Sequence, residues 1–457
     1  MSDDFWHHIS QYQELGLDPL RWITSSSNEL ISLALYDSLK QNRKLNHLME
    51  YSWYDAFPYS GKNPDIIRRQ YDFRDPVGES ELRKKRIVSL LNIHDDHASN
   101  AKNLLEGLSE FYAKINPKYP LRCLKINTTP DPKSEFALLD YIDLHRGEKI
   151  GYTVFNTGCI NVIDPTQNPD SDITVSMSLA PILENLALMG CTFGFRIIPV
   201  YDAPSEEMIN SIQTSHDTFG SKYNIPIDDY SSLNTGKLFL GGTVYAHTER
   251  ELPVRYDLVT SGMVILLTDK FGSLSPLKTR TIRNLDPTFH GTSSPDEAID
   301  YDVNDILRSL SHPRFSLAKI VAKYSPQFGN QFDTHANIIA VHPVGSDGVL
   351  SLLRLSWLSN AHLIVNEIPM KYEKLSKQAT KESMISNSTC AGNGCHLIVA
   401  SNEVAIHVLE DLQKHSYNPL IIGRVENKDE PKVTISNKLT EFVAAKYITS
   451  RFQLYSM

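Results

Sequence analysis

Hydrophobic and polar positions divide the chain into a helical opening and a longer mixed region. Ser26-Ser27-Asn28-Glu29 precedes apolar residues at Leu30, Ile31, Leu33, Ala34, Leu35 and Leu39, a capping signal followed by a helical period. Glu79 to Leu91 runs basic and then apolar. Asp95 to Tyr112 places Ala98, Ala101, Leu104, Leu105, Leu108 and Phe111 on one face. Residues 1–115 therefore read as a helical extension. From Leu121 the pattern shortens to β-type runs at Arg122 to Ile126, Phe136 to Ile142 and Ile150 to Phe155, separated by Pro, Asp and Gly. A helix over Ser176 to Met189 ends at Gly190. A strand at Arg196 to Tyr201, a helix at Ser205 to Tyr223 and a strand at Leu238 to Tyr245 follow. That last strand is short and apolar, and it carries the pair Gly241-Gly242, expected at the end of a central strand.

Two such crossings predict one sheet with helices on one side. Arg250 to Asp257 reads as a linker. Beyond it the pattern predicts strands at Val264 to Thr268, Asn337 to Val341 and His362 to Asn366. Helices are predicted at Val303 to Leu310, Leu317 to Tyr324, Val349 to Leu358 and Tyr372 to Ser386, and a strand–helix–strand unit from His396 to Val425. Thr279 to Asp302, rich in Pro, Thr and Asp, reads as a long surface loop. No repeat of fixed period is present.

Composition narrows the function classes. The 457 residues suffice for two or three domains, and 41% hydrophobic with 22% charged residues is ordinary for a globular protein. A net charge of −9 argues against a nucleic-acid surface covering the chain. The basic run Arg83-Lys84-Lys85-Arg86 reads as a solvated helix face. No apolar run reaches the roughly 20 residues that span a bilayer, and Met1 to His8 lacks the features of a signal peptide. Five cysteines do not make a disulfide framework. The default compartment is the cytoplasm.

Four short constellations were weighed as sites. His94-Asp95-Asp96-His97 looks like a metal cluster, but adjacent helical residues diverge by about 100°, so Asp95 or Asp96 reads better as an N-cap. Cys390-Ala-Gly-Asn-Gly-Cys395 has two thiols and only His396 beside them, fewer ligands than a metal site wants, and reads as a turn with two buried thiols. Asp347-Gly348, after Val344-Gly345, is a turn of the kind whose backbone N–H groups cradle anions. Ser60-Gly61-Lys62 reads as a surface turn within reach of a phosphate.

Five stations in order resemble the selenophosphate synthetases and the wider aminoimidazole ribonucleotide synthetase (PurM-type) superfamily of ATP-dependent enzymes. Phe136 to Ile142 stands where the family has its Gly-Asp-Asp-Ala-Ala-Val strand, and Thr153 to Pro165 where it has a Thr-Thr-Asp strand leading to Asp-Pro. Leu183 to Cys191 is similar to Leu-Ser-Asp-Val-Tyr-Ala-Met-Gly-Gly. Leu240-Gly241-Gly242-Thr243 is similar to the Gly-Gly-His or Gly-Gly-Glu strand end, and Ala340 to Gly345 to Ala-Thr-Asp-Val-Thr-Gly. Ile422-Gly-Arg-Val425 closes the match, which covers roughly residues 130 to 430.

The resemblance implies an α/β (α+β) fold of two PurM-type sheet-plus-helix domains, 116–257 and 258–457, behind the helical extension 1–115. It implies ATP and Mg2+ as ligands and a homodimer. It also implies a cleft lined by Glu135, Asn156, Asp164, Asn185, Gly241, Gly242, Thr243 and His342. Transfer from ATP needs carboxylates to hold the magnesium that neutralises phosphate charge. At the family's acidic positions this chain has Ser134 and Glu135, Phe155 or Asn156, Asn185 and His342. No cysteine precedes Cys123, so the family's reactive Cys-Gly-Lys stretch is missing. The expectation is a degenerate site with weak or lost Mg2+ and ATP binding, and His342 hydrogen-bonded to Thr243 or a backbone carbonyl. The alternatives are an active phosphotransferase using Glu135, Asp164, Glu184 and His342, or a structural or regulatory subunit with the extension as its protein-partner surface.

Overall fold

In a computed structural model of the chain, the described residues are 7–8, 11–12, 14–15, 136–143, 148–159, 164, 166–228, 231–232, 236, 238–285, 303–381, 385 and 387–456. The helices expected at Ser26 to Leu39, Glu79 to Leu91 and Asp95 to Tyr112 lie outside them. So do the strand at Arg122 to Ile126, Ser60-Gly61-Lys62, Arg83 to Arg86, His94 to His97 and the candidate Glu135.

The fold is mixed α/β, built from two sheets with their helices. The first sheet has the order β1-β2-β5-β3-β4, with β1 (Phe136–Asp143), β2 (Glu148–Cys159), β3 (Phe193–Asp202), β4 (Ser231–Ser232) and β5 (Phe239–Thr248). All its pairs are antiparallel except β3 with β4. Helices α1 (Asp172–Leu188) and α2 (Glu206–Tyr223) cover one face.

Side-chain character decides the roles of these two helices. Ser171 caps α1 by accepting from the Thr174 N–H at 3.3 Å, with Asp172 in the first turn where the helix dipole favours an anion. Its buried residues run around the whole cylinder, from Val175 and Met177 to Leu186, Ala187 and Leu188. A helix apolar on all sides has to be covered on all sides. α1 is covered by β2 and β5 on one flank and by helices of the second unit on the other. α2 buries only Ile212, Ser215, His216, Phe219 and Gly220, and stays on the surface.

The second sheet has the order β12-β11-β8-β10-β6-β9-β7. Its strands are β6 (Val264–Leu267), β7 (Ala340–Pro343), β8 (Ala361–Val365), β9 (His396–Ala400), β10 (Leu420–Lys428), β11 (Lys432–Ser436) and β12 (Gln453–Tyr455). Its helices are α3 (Ser275–Leu285), α4 (Val303–Leu310), α5 (Ser316–Lys323), α6 (Leu350–Ser359), α7 (Glu373–Lys381), α8 (Asn402–Lys414) and α9 (Lys446–Thr449). One cluster of buried side chains runs from Tyr152 and Val154 under the first sheet to Ile448 and Phe452 beside the second.

Two expectations need correction. The stretch from Thr279 is not a loop at its start, because α3 continues to Leu285. Its Lys278, Thr279 and Thr281 are buried, so a face that packs is written in polar letters. Thr281 hides its hydroxyl on the Leu277 carbonyl one turn back, at 2.9 Å. The glycine pair does not end its strand either. Gly241 and Gly242 sit near the start of β5, which runs on to Thr248 as the central strand between β2 and β3. Gly242 faces Gly158 on one neighbour and Pro199 on the other. A Cβ there would lie 3.1 Å from the Ile198 carbonyl oxygen and 3.2 Å from Leu179 of α1, so the crowding comes from its own unit and not from the other.

Near the N-terminus, Tyr12 is fully buried against Val175, Tyr201, Ile212 and Leu240. Its hydroxyl donates to the Gln167 carbonyl at 2.9 Å.

Candidate functional site

Strand alternation sorts the expected site residues before any contact is considered. Asn156 faces Val244 across β2 and β5, and Val244 belongs to the core beneath α1. Asn156 therefore points to the helix side. Thr243 is one residue further along β5 from Val244 and lies on the opposite face. The structure brings Asn156 and Asn185 together: Asn185 Nδ2 donates to Asn156 Oδ1 at 3.3 Å, with Asn156 3% exposed. Thr243 does not join them.

Asp164, also 3% exposed, is committed locally. Its Oδ1 accepts from the Thr166 N–H at 3.0 Å and from Thr166 Oγ1 at 2.7 Å, and its Oδ2 from Gln167 Nε2 at 3.4 Å. Arg280, from α3 of the other unit, stands 3.9 Å from Oδ2.

His342 on β7 departs from its expected role. Its Nε2 is buried with no hydrogen-bond partner, so the expected bond from that nitrogen to Thr243 or a carbonyl is not made. Burial, helped by the nearby His396, pushes its pKa down to about 3, so the ring is neutral. On β9, His396 is paired with Pro343, and His342 with Leu397. The two imidazoles thus point to opposite faces of the sheet.

His396 is the histidine that meets α1, and it does so through Glu184, which is 1% exposed. Glu184 Oε1 stands 2.8 Å from His396 Nε2 and also accepts the Gly394 N–H, while Oε2 accepts the Arg314 N–H at 3.2 Å. One carboxylate of the first unit thereby takes three donors of the second. Arg314 continues the network. Its guanidinium is 3.3 Å from Asp269 Oδ2 and stacks over Tyr417 at 4.9 Å. Thr268 Oγ1 donates to the Gly394 carbonyl at 2.6 Å and accepts the His396 N–H at 2.9 Å. Gly394 has φ +88°, and a Cβ would stand 2.7 Å from the Arg314 guanidinium, so only glycine fits.

Sequence reasoning missed Asp269 and Arg314 altogether and held His396 only as a neighbour of two thiols. The available signal was Thr268-Asp269 at the polar end of an otherwise apolar strand.

The two thiols are as the turn reading expected. Cys390 and Cys395 are buried and stand in no disulfide. Cys390 Sγ lies 3.3 Å from the Asn387 carbonyl and Cys395 Sγ 3.2 Å from that of Asp269. Burial holds the Cys395 thiol well above its ordinary range, with the charge of Asp269 adding to the effect. The turn at Gly345–Asp347 is not an open anion cradle. The Gly348 N–H goes to the Gly345 carbonyl at 3.3 Å and the Val349 N–H to Thr389 Oγ1 at 2.9 Å. Asp347 itself pairs with Arg354 at 2.8 Å.

Among the described residues, those expected at the site are a poor set for a magnesium ion. Mg2+ wants charged oxygen donors around an open octahedral position. Here Asn156 on β2 and Asn185 on α1 carry amides bonded to each other, and among the described residues the carboxylates of Asp164, Glu184 and Asp269 accept from protein donors. Among the described residues no three His, Cys, Asp or Glu side chains converge to hold a metal ion, and no helix is long and apolar enough to cross a membrane.

No protein-family model and no curated protein sequence matches the chain. Several solved structures are similar to it. Thiamine-monophosphate kinase from Stenotrophomonas maltophilia K279a is 16% identical, with a TM-score of 0.46, covering 63% of this chain and 85% of that one. The HypE-HypF complex gives 15%, 0.45, 66% and 89%. AaThiL complexed with AMPPCP and TMP gives 12%, 0.46, 66% and 86%. The likeness is one of chain path and says nothing of substrate.

Proposed function

We propose that this chain is a selenophosphate-synthetase-related protein of the PurM-type ATP-binding superfamily whose metal-holding site has been lost. On this reading it acts as a non-catalytic scaffold, divided into the extension 1–115 and domains 116–257 and 258–457. The observation that carries the proposal is the Asn185–Asn156 hydrogen bond, at two positions where the resemblance implies carboxylates. An amide ligates magnesium through a neutral oxygen, and this one is already used. Phosphoryl transfer depends on charge placed against the phosphates before reaction, so a site stripped of that charge loses its rate. Glu184 and Asp164 supply no substitute, because their oxygens already accept from protein donors. ATP and Mg2+ bound weakly or not at all, and a homodimer, remain parts of the proposal that rest on the resemblance.

The test is calorimetric titration of MgATP into the full chain, beside the double variant Asn156→Asp with Asn185→Asp. The wild type is expected to show no Mg2+-dependent heat. The double variant is expected to show a melting temperature that rises with added Mg2+, as binding to the folded state alone requires. Selenide-dependent ATP turnover by the wild type, of order 1 per second or faster, would overturn the reading.

A further inference from the structure

Lys278 lies on α3 with 2% of its surface exposed, among Leu274, Leu277, Ile306, Leu310 and Cys390. A lysine head group is seldom buried so far without acceptors, since leaving water unpaired is costly. Cys390 supplies one: Nζ stands 3.8 Å from its Sγ, and the residue is 1% exposed. The thiol hydrogen is directed at the Asn387 carbonyl, 3.3 Å away, which leaves a sulfur lone pair for Nζ.

The two groups are also held in register by their backbones. The Gly272 N–H donates to the Thr389 carbonyl and the Leu274 N–H to the Cys390 carbonyl, both at 3.3 Å. Ser275 Oγ donates to the Ser388 carbonyl at 2.8 Å. The start of α3 and the turn of residues 388–390 are thus laced together, with an amine and a thiol between them. The four-carbon lysine stem can shorten the remaining separation by rotamer changes alone.

We propose that Lys278 and Cys390 are a modification site, where dioxygen converts the pair into a covalent N–O–S cross-link that thiol reductants reverse. In the step, the S–H bond and one N–H bond of the Lys278 amine break. One oxygen atom enters between Sγ and Nζ, forming an S–O and an O–N bond. The two displaced hydrogens leave with the second oxygen atom as water. Sulfur and nitrogen each lose two electrons, and the four electrons reduce dioxygen. The cross-link fixes α3 to the segment leading into Gly394 and His396, the same segment that Glu184 holds from the first unit. Oxidation therefore stiffens the junction between the units. The inference does not depend on whether the chain binds nucleotide.

Purified full-length protein, kept in air-saturated buffer or under thiol reductant, is digested and its peptides are sequenced by tandem mass spectrometry. The expected product joins the Lys278 and Cys390 peptides with one oxygen more and two hydrogens fewer than their sum. It carries the heavy isotope when the protein is incubated under 18O-labelled dioxygen, and disappears on reduction. Lys278→Arg and Cys390→Ser should each abolish it. The wild-type measurement decides the matter even if a variant fails to fold. Recovery of Cys390 after aerobic incubation as a free thiol, as a disulfide with Cys395, or as a sulfinic or sulfonic acid would overturn the proposal.

Discussion

Replacing Glu184 with alanine removes both oxygens from the junction and leaves three donors facing protein. Gly394 and His396 are buried, while Arg314 is partly exposed and recovers some hydration. A buried donor left unpaired costs about 1–3 kcal/mol. Two full penalties and one partial one sum to roughly 3–6 kcal/mol. Relief from burying the carboxylate itself offsets part of this, so about 3–4 kcal/mol is expected, in line with the cost of breaking other buried pairs. For a unit of this size each kcal/mol moves the melting temperature by about 2–4 °C, giving a drop of roughly 10 °C. Differential scanning calorimetry reads it, with Trp357 fluorescence as a second probe inside the second unit. Glu184→Gln keeps an acceptor for Gly394 and should lose about half as much. If Glu184→Ala melts within about 1 °C of the wild type, the carboxylate does not hold the junction and the argument fails.

Gly242→Val should destabilise by about 2–3 kcal/mol, because its neighbours are a strand carbonyl and a core leucine that cannot retreat; an unchanged melting temperature would mean that the position is open. His216 has both ring nitrogens buried and unpartnered, and burial lowers its pKa from 6.5 to about 4. The unfolded chain therefore takes up a proton near pH 6.5 that the folded chain refuses until about pH 4. Stability should fall across that window, by at most about 3 kcal/mol from this group. His216→Phe should flatten part of the decline, and identical pH profiles for the two proteins would refute the assignment.

Much of the fold was readable because its strands are apolar runs bounded by breakers. Val303 to Leu310 was placed to the residue, and α8 lies within the strand–helix–strand unit expected from His396 to Val425. Helix α3 was lost for a physical reason: beside Leu277 it packs Lys278, Thr279 and Thr281, so polar letters interrupt the hydrophobic period of its buried face. Of the site, Asn156 and Asn185 were expected in one cleft because both sit in recognisable stretches, but their hydrogen bond to each other was not. The Glu184 junction was not, since Glu184 and His396 are 212 residues apart and nothing local marks them as partners. Thr243 was misplaced for want of one parity: a single step along β5 moves a side chain from one face to the other.

Helix α1 serves two sheets at once, and this bears on how the chain is made. It leaves the ribosome with the first unit, yet Met177 is covered by Leu274, Leu277, Ile306 and Leu310, which have not been synthesised by then. Glu184 precedes the amide it will hold by 210 residues. A half-made molecule therefore shows water an apolar flank that the finished one never exposes, which is the condition that recruits chaperones or invites neighbouring nascent chains to stick. A fragment that stops at the linker would keep that flank bare for good. The first unit should thus be far less soluble by itself than its surface in the complete protein suggests.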